Sequence, residues 1–145
     1  MARRAPRPAP PSFWRNRIVR QEAVAPKTLV PSPFNWRLHP DTQRHALAGI
    51  LRELGWIQQL IVNVNTGHLI DGHLRLQLAL DAHEPTVPVL YVDLSEAEER
   101  LALATVDPLA ALAEADTERL AALLQEVSSG ESAVQQLLAQ LAEQH

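Results

Sequence analysis

The chain has 145 residues, of which 46% are hydrophobic, 21% are charged and none is cysteine. This composition is typical of a folded globular protein and excludes wholesale disorder, while the lack of cysteine excludes disulfides, a thiolate nucleophile and zinc–cysteine sites. No apolar run is long enough to cross a bilayer and no signal peptide is visible at the N-terminus, so we expect a cytoplasmic protein with no membrane partner.

The net charge of −4 conceals two oppositely charged segments. Residues 1–44 contain nine basic and two acidic residues, whereas residues 45–145 contain four basic and 15 acidic residues. The prolines between positions 6 and 11 disfavour helix and central strand, because each removes a backbone N–H and fixes φ. We therefore predict a flexible basic arm over residues 1–23, attached to an acidic body.

The arm has two interpretations. Its arginines can neutralise phosphates, and Phe13 and Trp14 can stack on exposed bases, so that the arm contacts nucleic acid. Alternatively, it is a solubilising or linking tail whose charge complements the acidic body. On the first interpretation the nucleic-acid contacts are Arg3, Arg4, Arg7, Arg15, Arg17 and Arg20.

The elements after the arm alternate between extended and helical patterns. Val24–Pro33, interrupted by prolines, is predicted to be a short edge strand or extended segment. Apolar residues at helical spacing predict a helix that begins at Asp41 and ends at Gly55. Leu60–Val64 and His68–Ile70 are predicted to be strands joined by a hairpin loop.

A helix over residues 73–82 and a buried strand over Val87–Val92 follow. Ser95 and the glutamate three residues later form a capping-box signature for another helix, which we expect to end near Val106 because Pro108 follows. The acidic residues around its start are predicted to form a solvent-exposed face that the helix dipole favours: Asp93, Glu96, Glu98 and Glu99.

Two leucine-rich stripes at helical spacing occupy the C-terminal residues 113–145. They predict an antiparallel helical hairpin. We expect this extension to serve packing or homodimerisation.

The segment with the most chemical content runs from Gly67 to Arg75. A strand ends at a glycine turn and a helix begins, and helix N-termini expose unpaired N–H groups that attract anions. Gly72 would let a phosphate approach the backbone closely, Arg75 could clamp it, and His73 could donate or exchange a proton. Alternatively, Asp71 only caps the helix and Arg75 pairs with a surface acid.

Other catalytic chemistries lack their motifs. His68, Asp71 and His73 lie within six residues, but residues three apart on a strand face opposite sides, so we predict no metal ligands. The chain has neither GxSxG nor a P-loop.

Residues 24–112 resemble the ParB N-terminal domain of the ParB/sulfiredoxin superfamily. The resemblance runs through VAPKTLVPSPFNWRLHP, ELGWIQQLIVN, GHLIDGHLRLQLAL and TVPVLYVDLSEAEERLALATVDPLA. It is strongest to the ParB-like domains of phages and bacteria that stand alone or accompany a DNA methyltransferase. It implies an α/β (α+β) domain with a small mixed sheet and packed helices, followed here by the C-terminal helical hairpin.

The resemblance also implies a nucleotide site. Gly72, His73 and Arg75 would bind phosphate, and Asp71 would act as an acid or base or organise a metal such as Mg²⁺. The nucleotide is CTP in partition proteins, ATP in sulfiredoxin and ADP in a related free-serine kinase with a similar Asp-Gly-His-x-Arg box.

The chain departs from these relatives at specific positions. It has no cysteine, which excludes sulfinic-acid reduction. Where partition proteins have Glu-Asn-x-x-Arg, it has Asp107-Pro108-Leu109-Ala110-Ala111, which removes an arginine ligand and argues against a CTP-operated clamp. No helix-turn-helix domain is visible, so we expect no recognition of DNA sequence by a recognition helix.

These observations lead to one hypothesis and two alternatives. The hypothesis is a ParB-like accessory domain of DNA transactions that binds a nucleotide or DNA phosphate, with DNA and a DNA methyltransferase as partners. The first alternative is a small phosphotransferase or hydrolase, kinase-like or nuclease-like, with Asp71 and His73 as catalytic residues. The second is a structural interaction module whose pocket is unused.

Overall fold

The computed structural model describes residues 3–7 and 13–145. Within these ranges the chain forms four strands and five α-helices in an α/β arrangement. The strands are β1 (Ile18–Val24), β2 (Leu60–Asn63), β3 (Leu69–Asp71) and β4 (Val87–Val92). The helices are α1 (Asp41–Leu54), α2 (His73–Asp81), α3 (Glu96–Ala111), α4 (Thr117–Glu126) and α5 (Ser132–Gln144), and a 3₁₀ turn spans Pro26–Thr28.

The four strands form one mixed sheet in the order β1-β4-β2-β3. β4 pairs with β1 in the antiparallel direction and with β2 in the parallel direction, and β2 pairs with β3 in the antiparallel direction. A parallel pair needs a crossover connection, which β3 and α2 supply between β2 and β4. The predicted small mixed sheet with packed helices is therefore confirmed.

The core lies between one face of the sheet and α2. Leu60, Val62, Val87 and Val89 are at most 1% exposed. Leu76 and Ala79 of α2, with Leu29 and Leu69, complete the same apolar cluster. Burial of these side chains fixes α2 on the sheet, and so fixes where its first turn lies.

The strand predicted over Val24–Pro33 is wrong in position. The edge strand β1 spans Ile18–Val24 instead, within the segment assigned to the arm. The physical reason is the backbone donors: residues 18–24 contain no proline and can form a ladder with β4, whereas the prolines that follow cannot donate to one. Beyond β1, only Val30 forms an isolated bridge, to His68, among the described residues.

The predicted end of α3 near Val106 is also wrong. The capping box at its start is confirmed, with Ser95 and Glu98 bonded to each other's backbone N–H groups. The helix continues through Pro108 to Ala111, however. A proline removes a single N–H donor and the last turn is exposed to water, so the helix bridges it.

The two C-terminal helices are present, but α5 packs more extensively against α1 than against α4. Val134 is buried on Gly49, where an added Cβ would lie 2.8 Å from the valine Cγ2. The Arg52 guanidinium bonds Glu131 at 3.0 Å at the same junction. Dimerisation through these helices stays a prediction. No helix in the described ranges is long and apolar enough to cross a membrane.

Candidate anion-binding cleft

A cleft of about 570 Å³ opens where the first turn of α2 faces α1 and α5; we call it the α2 cleft. Asp71, Gly72, His73 and Arg75 all line it, so the structure brings the sequence-predicted residues of the strand–turn–helix to one place. His68 lies elsewhere. In the described part of the chain no group of three His, Cys, Asp or Glu residues is arranged to hold a metal ion.

The first turn of α2 has free backbone donors. The cap residue is Gly72, and no side chain of the described chain accepts a hydrogen bond from the backbone amides of the turn. The first intrahelical donor is the Leu76 N–H, which bonds the Gly72 carbonyl at 2.8 Å. The amides of residues 73–75 therefore carry the unpaired donors of a helix start and its partial positive charge. The alternative that Asp71 only caps the helix is wrong.

Gly72 has a structural role in the turn, and its role in the close approach of a phosphate stays a prediction. Its backbone is left-handed, with φ of +100°, a conformation that favours glycine. A Cβ at this position would lie 2.8 Å from the Leu60 Cγ in the core. The missing side chain therefore accommodates the sheet beneath the turn.

Arg75 carries an uncompensated charge into the cleft. Its guanidinium donates to the Gln58 side-chain carbonyl, which is neutral. No acidic residue of the described chain forms an ion pair with Arg75, contrary to the alternative that it pairs with a surface acid. The guanidinium therefore keeps its full charge beside the open amides of α2.

A second arginine, Arg37, was missed by the sequence reasoning. It lies in the loop before α1, where it bonds Asp107 and approaches Asp71 Oδ1 at 3.5 Å. The indole of Trp36 anchors this loop by donating to the Leu103 carbonyl at 2.9 Å. The only signal in the sequence was the NWRLHP segment, which is part of the family resemblance. Its distance along the chain from the DGHLR segment does not indicate that the two meet in space.

His73 is held as a neutral ring. Its Nε2 accepts the Ser32 backbone N–H at 3.1 Å, which assigns the proton to Nδ1. That Nδ1 is buried and has no partner among the described residues. Burial lowers the pKa of His73, and the charge of Arg37 lowers it further, although Asp71 opposes both. Because its lone pair is engaged, the ring ties the Ser32 loop to α2, and its catalytic role stays a prediction.

Glu99 was expected on a solvent-exposed acidic face, and this expectation is wrong. It is 2% exposed and accepts hydrogen bonds from Thr66 Oγ1 at 2.5 Å, Asn63 Nδ2 at 3.1 Å and the His68 ring at 3.0 Å. We call these four residues the Glu99 cluster. Burial alone would raise the pKa of Glu99, but these hydrogen bonds outweigh it and lower the pKa. The cluster ties the β2–β3 hairpin to α3.

The six arginines predicted to contact nucleic acid fall into two groups. Arg17 donates to both carboxylate oxygens of Glu98 at 2.8 Å and to the Asp93 carbonyl; the bond from Arg17 lowers the pKa of Glu98 to about 2. Arg20 lies over the Tyr91 ring, 4.2 Å from its centroid. The remaining four are exposed and form no ion pair with another described residue: Arg3, Arg4, Arg7 and Arg15.

Solved structures of ParB proteins have a similar fold. The C-terminally truncated chromosome-partitioning protein ParB from Caulobacter crescentus, solved with CTP-γ-S, superposes with a TM-score of 0.55 and 20% identity, over 83% of this chain and 79% of that chain. A Pnob8-like ParB-N domain gives a TM-score of 0.53 and 26% identity, over 77% of this chain and 46% of that chain. No protein-family model and no curated protein matches the sequence. The chain thus has the fold of ParB N-terminal domains.

Proposed function

We propose that the α2 cleft binds the phosphates of a nucleotide, and that the chain is a ParB-like domain acting in DNA transactions. The observation that carries the proposal is the uncapped start of α2 beside the unpaired charge of Arg75. Backbone N–H groups and a guanidinium are the donors that phosphate oxygens prefer. The Caulobacter crescentus ParB with the same fold was solved with CTP-γ-S, which supports the same class of ligand here.

The size and lining of the cleft favour a nucleotide over a DNA backbone. Its volume falls within the range of small-molecule sites. Leu47, Ile50 and Leu137 offer an apolar wall for a base, and the amides of Gln43 and Gln140 offer hydrogen bonds to its edge. A phosphate at α2 would then place the nucleoside between α1 and α5.

The charges of the cleft limit how a metal would take part. Asp71 is engaged by Arg37, so a protein-bound Mg²⁺ would have to displace the guanidinium. We therefore expect any Mg²⁺ to enter on the phosphates of the nucleotide rather than on a preformed protein site.

A nucleotide panel tests the proposal. CTP, ATP, ADP and inorganic triphosphate, each with and without Mg²⁺, are added at millimolar concentration while thermal unfolding is followed. A ligand at 100 times its dissociation constant adds about 2.7 kcal/mol to stability. We expect a shift for the wild type and for Arg119→Ala, an exposed arginine outside the cleft, and its loss in Arg75→Ala. No shift with any ligand would contradict the proposal.

Turnover separates binding from catalysis. The lone pair of His73 is engaged by Ser32 and Asp71 is held by Arg37, so we expect nucleotides to bind without release of phosphate or transfer to an acceptor. Phosphate release or transfer that Asp71→Asn abolishes would instead favour the phosphotransferase or hydrolase alternative. The assay follows products over CTP, ATP and ADP with wild type and variant side by side.

We also propose that the arm attracts nucleic acid through its four exposed arginines rather than through Arg17 and Arg20. Each neutralised duplex phosphate contributes about 0.9 to the slope of log K against log salt. Replacing Arg3, Arg4, Arg7 and Arg15 by alanine should lower that slope by up to about 3.6 units, whereas Arg17→Ala should leave it unchanged. An unchanged slope in the fourfold variant would contradict the role of the arm. The expected DNA methyltransferase partner stays a prediction.

A further inference from the structure

β1 is an edge strand of the sheet. It pairs with β4 on one side, and no described residue pairs with its other side. Six of its seven residues are exposed, including Ile18 and Val19, which are 48% and 51% exposed. A strand edge with unpaired N–H and C=O groups is a template for another strand.

The pairing with β4 determines which backbone groups point outward. On the β1 side of β4, the Asp93 N–H donates to the Arg17 carbonyl. On the β2 side, the Val92 carbonyl accepts from the N–H of Val64, the residue that follows β2. Backbone groups alternate sides along a strand, so β4 turns the groups of Tyr91 and Val89 towards β1. Their partners Arg20 and Glu22 therefore point inward. The groups of the intervening Gln21 and of Ala23 point to the free edge.

Within one chain Arg20 Nε lies 3.4 Å from Glu22 Oε2, and both side chains are about half exposed, so their charges can also reach a second copy. The sequence of β1 is complementary to its own reverse. When a second copy pairs in the antiparallel direction about a two-fold axis at Gln21, Arg20 faces Glu22 of the second copy, and Glu22 faces Arg20 of the second copy. Gln21 then exchanges its outward hydrogen bonds with Gln21 of the second copy. The two charged pairs occupy positions without backbone bonds, where side chains lie closest together.

The geometry points to a second copy of this chain as the occupant of the β1 edge, which would join the two sheets into one of eight strands. Parallel pairing in register is disfavoured, because Arg20 would then face Arg20 and Glu22 would face Glu22. The irregularity between Ile18 and Arg20 confines the ladder to the C-terminal part of β1. A ladder this short gives a weak, reversible dimer.

A charge-reversal cycle tests the pairing by sedimentation velocity over a concentration series, without DNA or nucleotide. Arg20→Glu and Glu22→Arg each turn two attractive pairs into repulsive ones, so each should weaken dimerisation about tenfold or more. The combined exchange restores complementarity and should restore dimerisation. Glu84→Arg, an exposed charge reversal outside the β1–β4 ladder, should have no effect. Thermal unfolding verifies that each variant is folded.

A cross-link gives an independent test, because the chain contains no cysteine. Directly opposed residues of an antiparallel pair have Cα atoms about 5.5 Å apart, within the range of a disulfide. Mild oxidation should link two Gln21→Cys chains several times faster than two Glu84→Cys chains. The inference is overturned by a monomer at all concentrations with equal cross-linking rates, or by dimerisation that is indifferent to the charge of β1, as C-terminal-helix dimerisation would be.

Discussion

The α2 cleft and the Glu99 cluster differ in how far their polar groups are satisfied by hydrogen bonds. Both carboxylate oxygens of Glu99 are occupied by side-chain donors from the β2–β3 hairpin. In the α2 cleft the helix amides have no capping partner, and Arg75 has only a neutral one. Satisfied polar groups hold a fold together, whereas unsatisfied donors beside an unpaired charge are available to a ligand.

Removing the Glu99 side chain should disrupt the hydrogen bonds of the Glu99 cluster and have the largest effect on stability. Glu99→Ala removes the shared acceptor of Thr66, Asn63 and His68, of which Asn63 Nδ2 keeps the Leu94 carbonyl, and we expect the free energy of unfolding to fall by about 3 kcal/mol. Glu96→Ala, an exposed acid on the same helix, should change it by less than about 0.5 kcal/mol. Chemical denaturation measures both. If the two substitutions lower the free energy of unfolding equally, the hydrogen bonds of the Glu99 cluster do not contribute to stability.

Gly72→Ala tests the turn between the two regions. The new Cβ would lie 2.8 Å from Leu60 Cγ, and alanine disfavours the left-handed backbone that the turn requires, so the free energy of unfolding should fall by about 2 kcal/mol. The control is Gly130→Ala, where an added Cβ meets no atom within 4 Å and φ is not left-handed. If Gly72→Ala leaves the free energy of unfolding unchanged, the close packing of the turn on the sheet is contradicted.

The pH dependence of stability tests the half-buried imidazole of His73. Its pKa is lowered by burial, so the unfolded chain takes up a proton more readily than the folded one. Its contribution to stability is therefore complete above about pH 6.5 and is lost as the pH falls through the folded pKa. His73→Gln should flatten the decline in unfolding temperature below about pH 6.5. If the unfolding temperature of His73→Gln falls with pH as steeply as that of the wild type, other groups are responsible for the decline.

The sequence predicted local features well and distant contacts poorly. The strand–turn–helix around Gly72 and the capping box at Ser95 depend on neighbouring residues, and the structure contains both. Arg37 reaches the cleft through contacts with Asp71 and Asp107 that are far from it in sequence, so no periodicity could reveal it.

Burial and sheet order were equally inaccessible. Glu99 belongs to an acidic run that is typical of a solvated face, and only the position of the β2–β3 hairpin explains its burial. The strand β1 was missed because its residues are mostly exposed and three consecutive ones are polar, and its partner β4 lies more than 60 residues away. Local patterns do not carry such information.

Of these substitutions, Arg75→Ala should have the smallest effect on stability, because Arg75 belongs to the α2 cleft and not to the Glu99 cluster. The side chain bonds only Gln58 among the described residues, so the free energy of unfolding should change by less than about 0.5 kcal/mol. The same substitution should abolish the nucleotide response. A large loss of stability would show that Arg75 belongs to the structural framework instead.

The most direct test of the central claim is an NMR titration of the backbone amides with CTP and with inorganic triphosphate. If the start of α2 binds phosphate, the amide resonances of His73, Leu74 and Arg75 shift in a saturable manner, and those of the Glu99 cluster do not. If the ligands shift only the arginines of the arm, or shift no resonance of α2, the claim is contradicted.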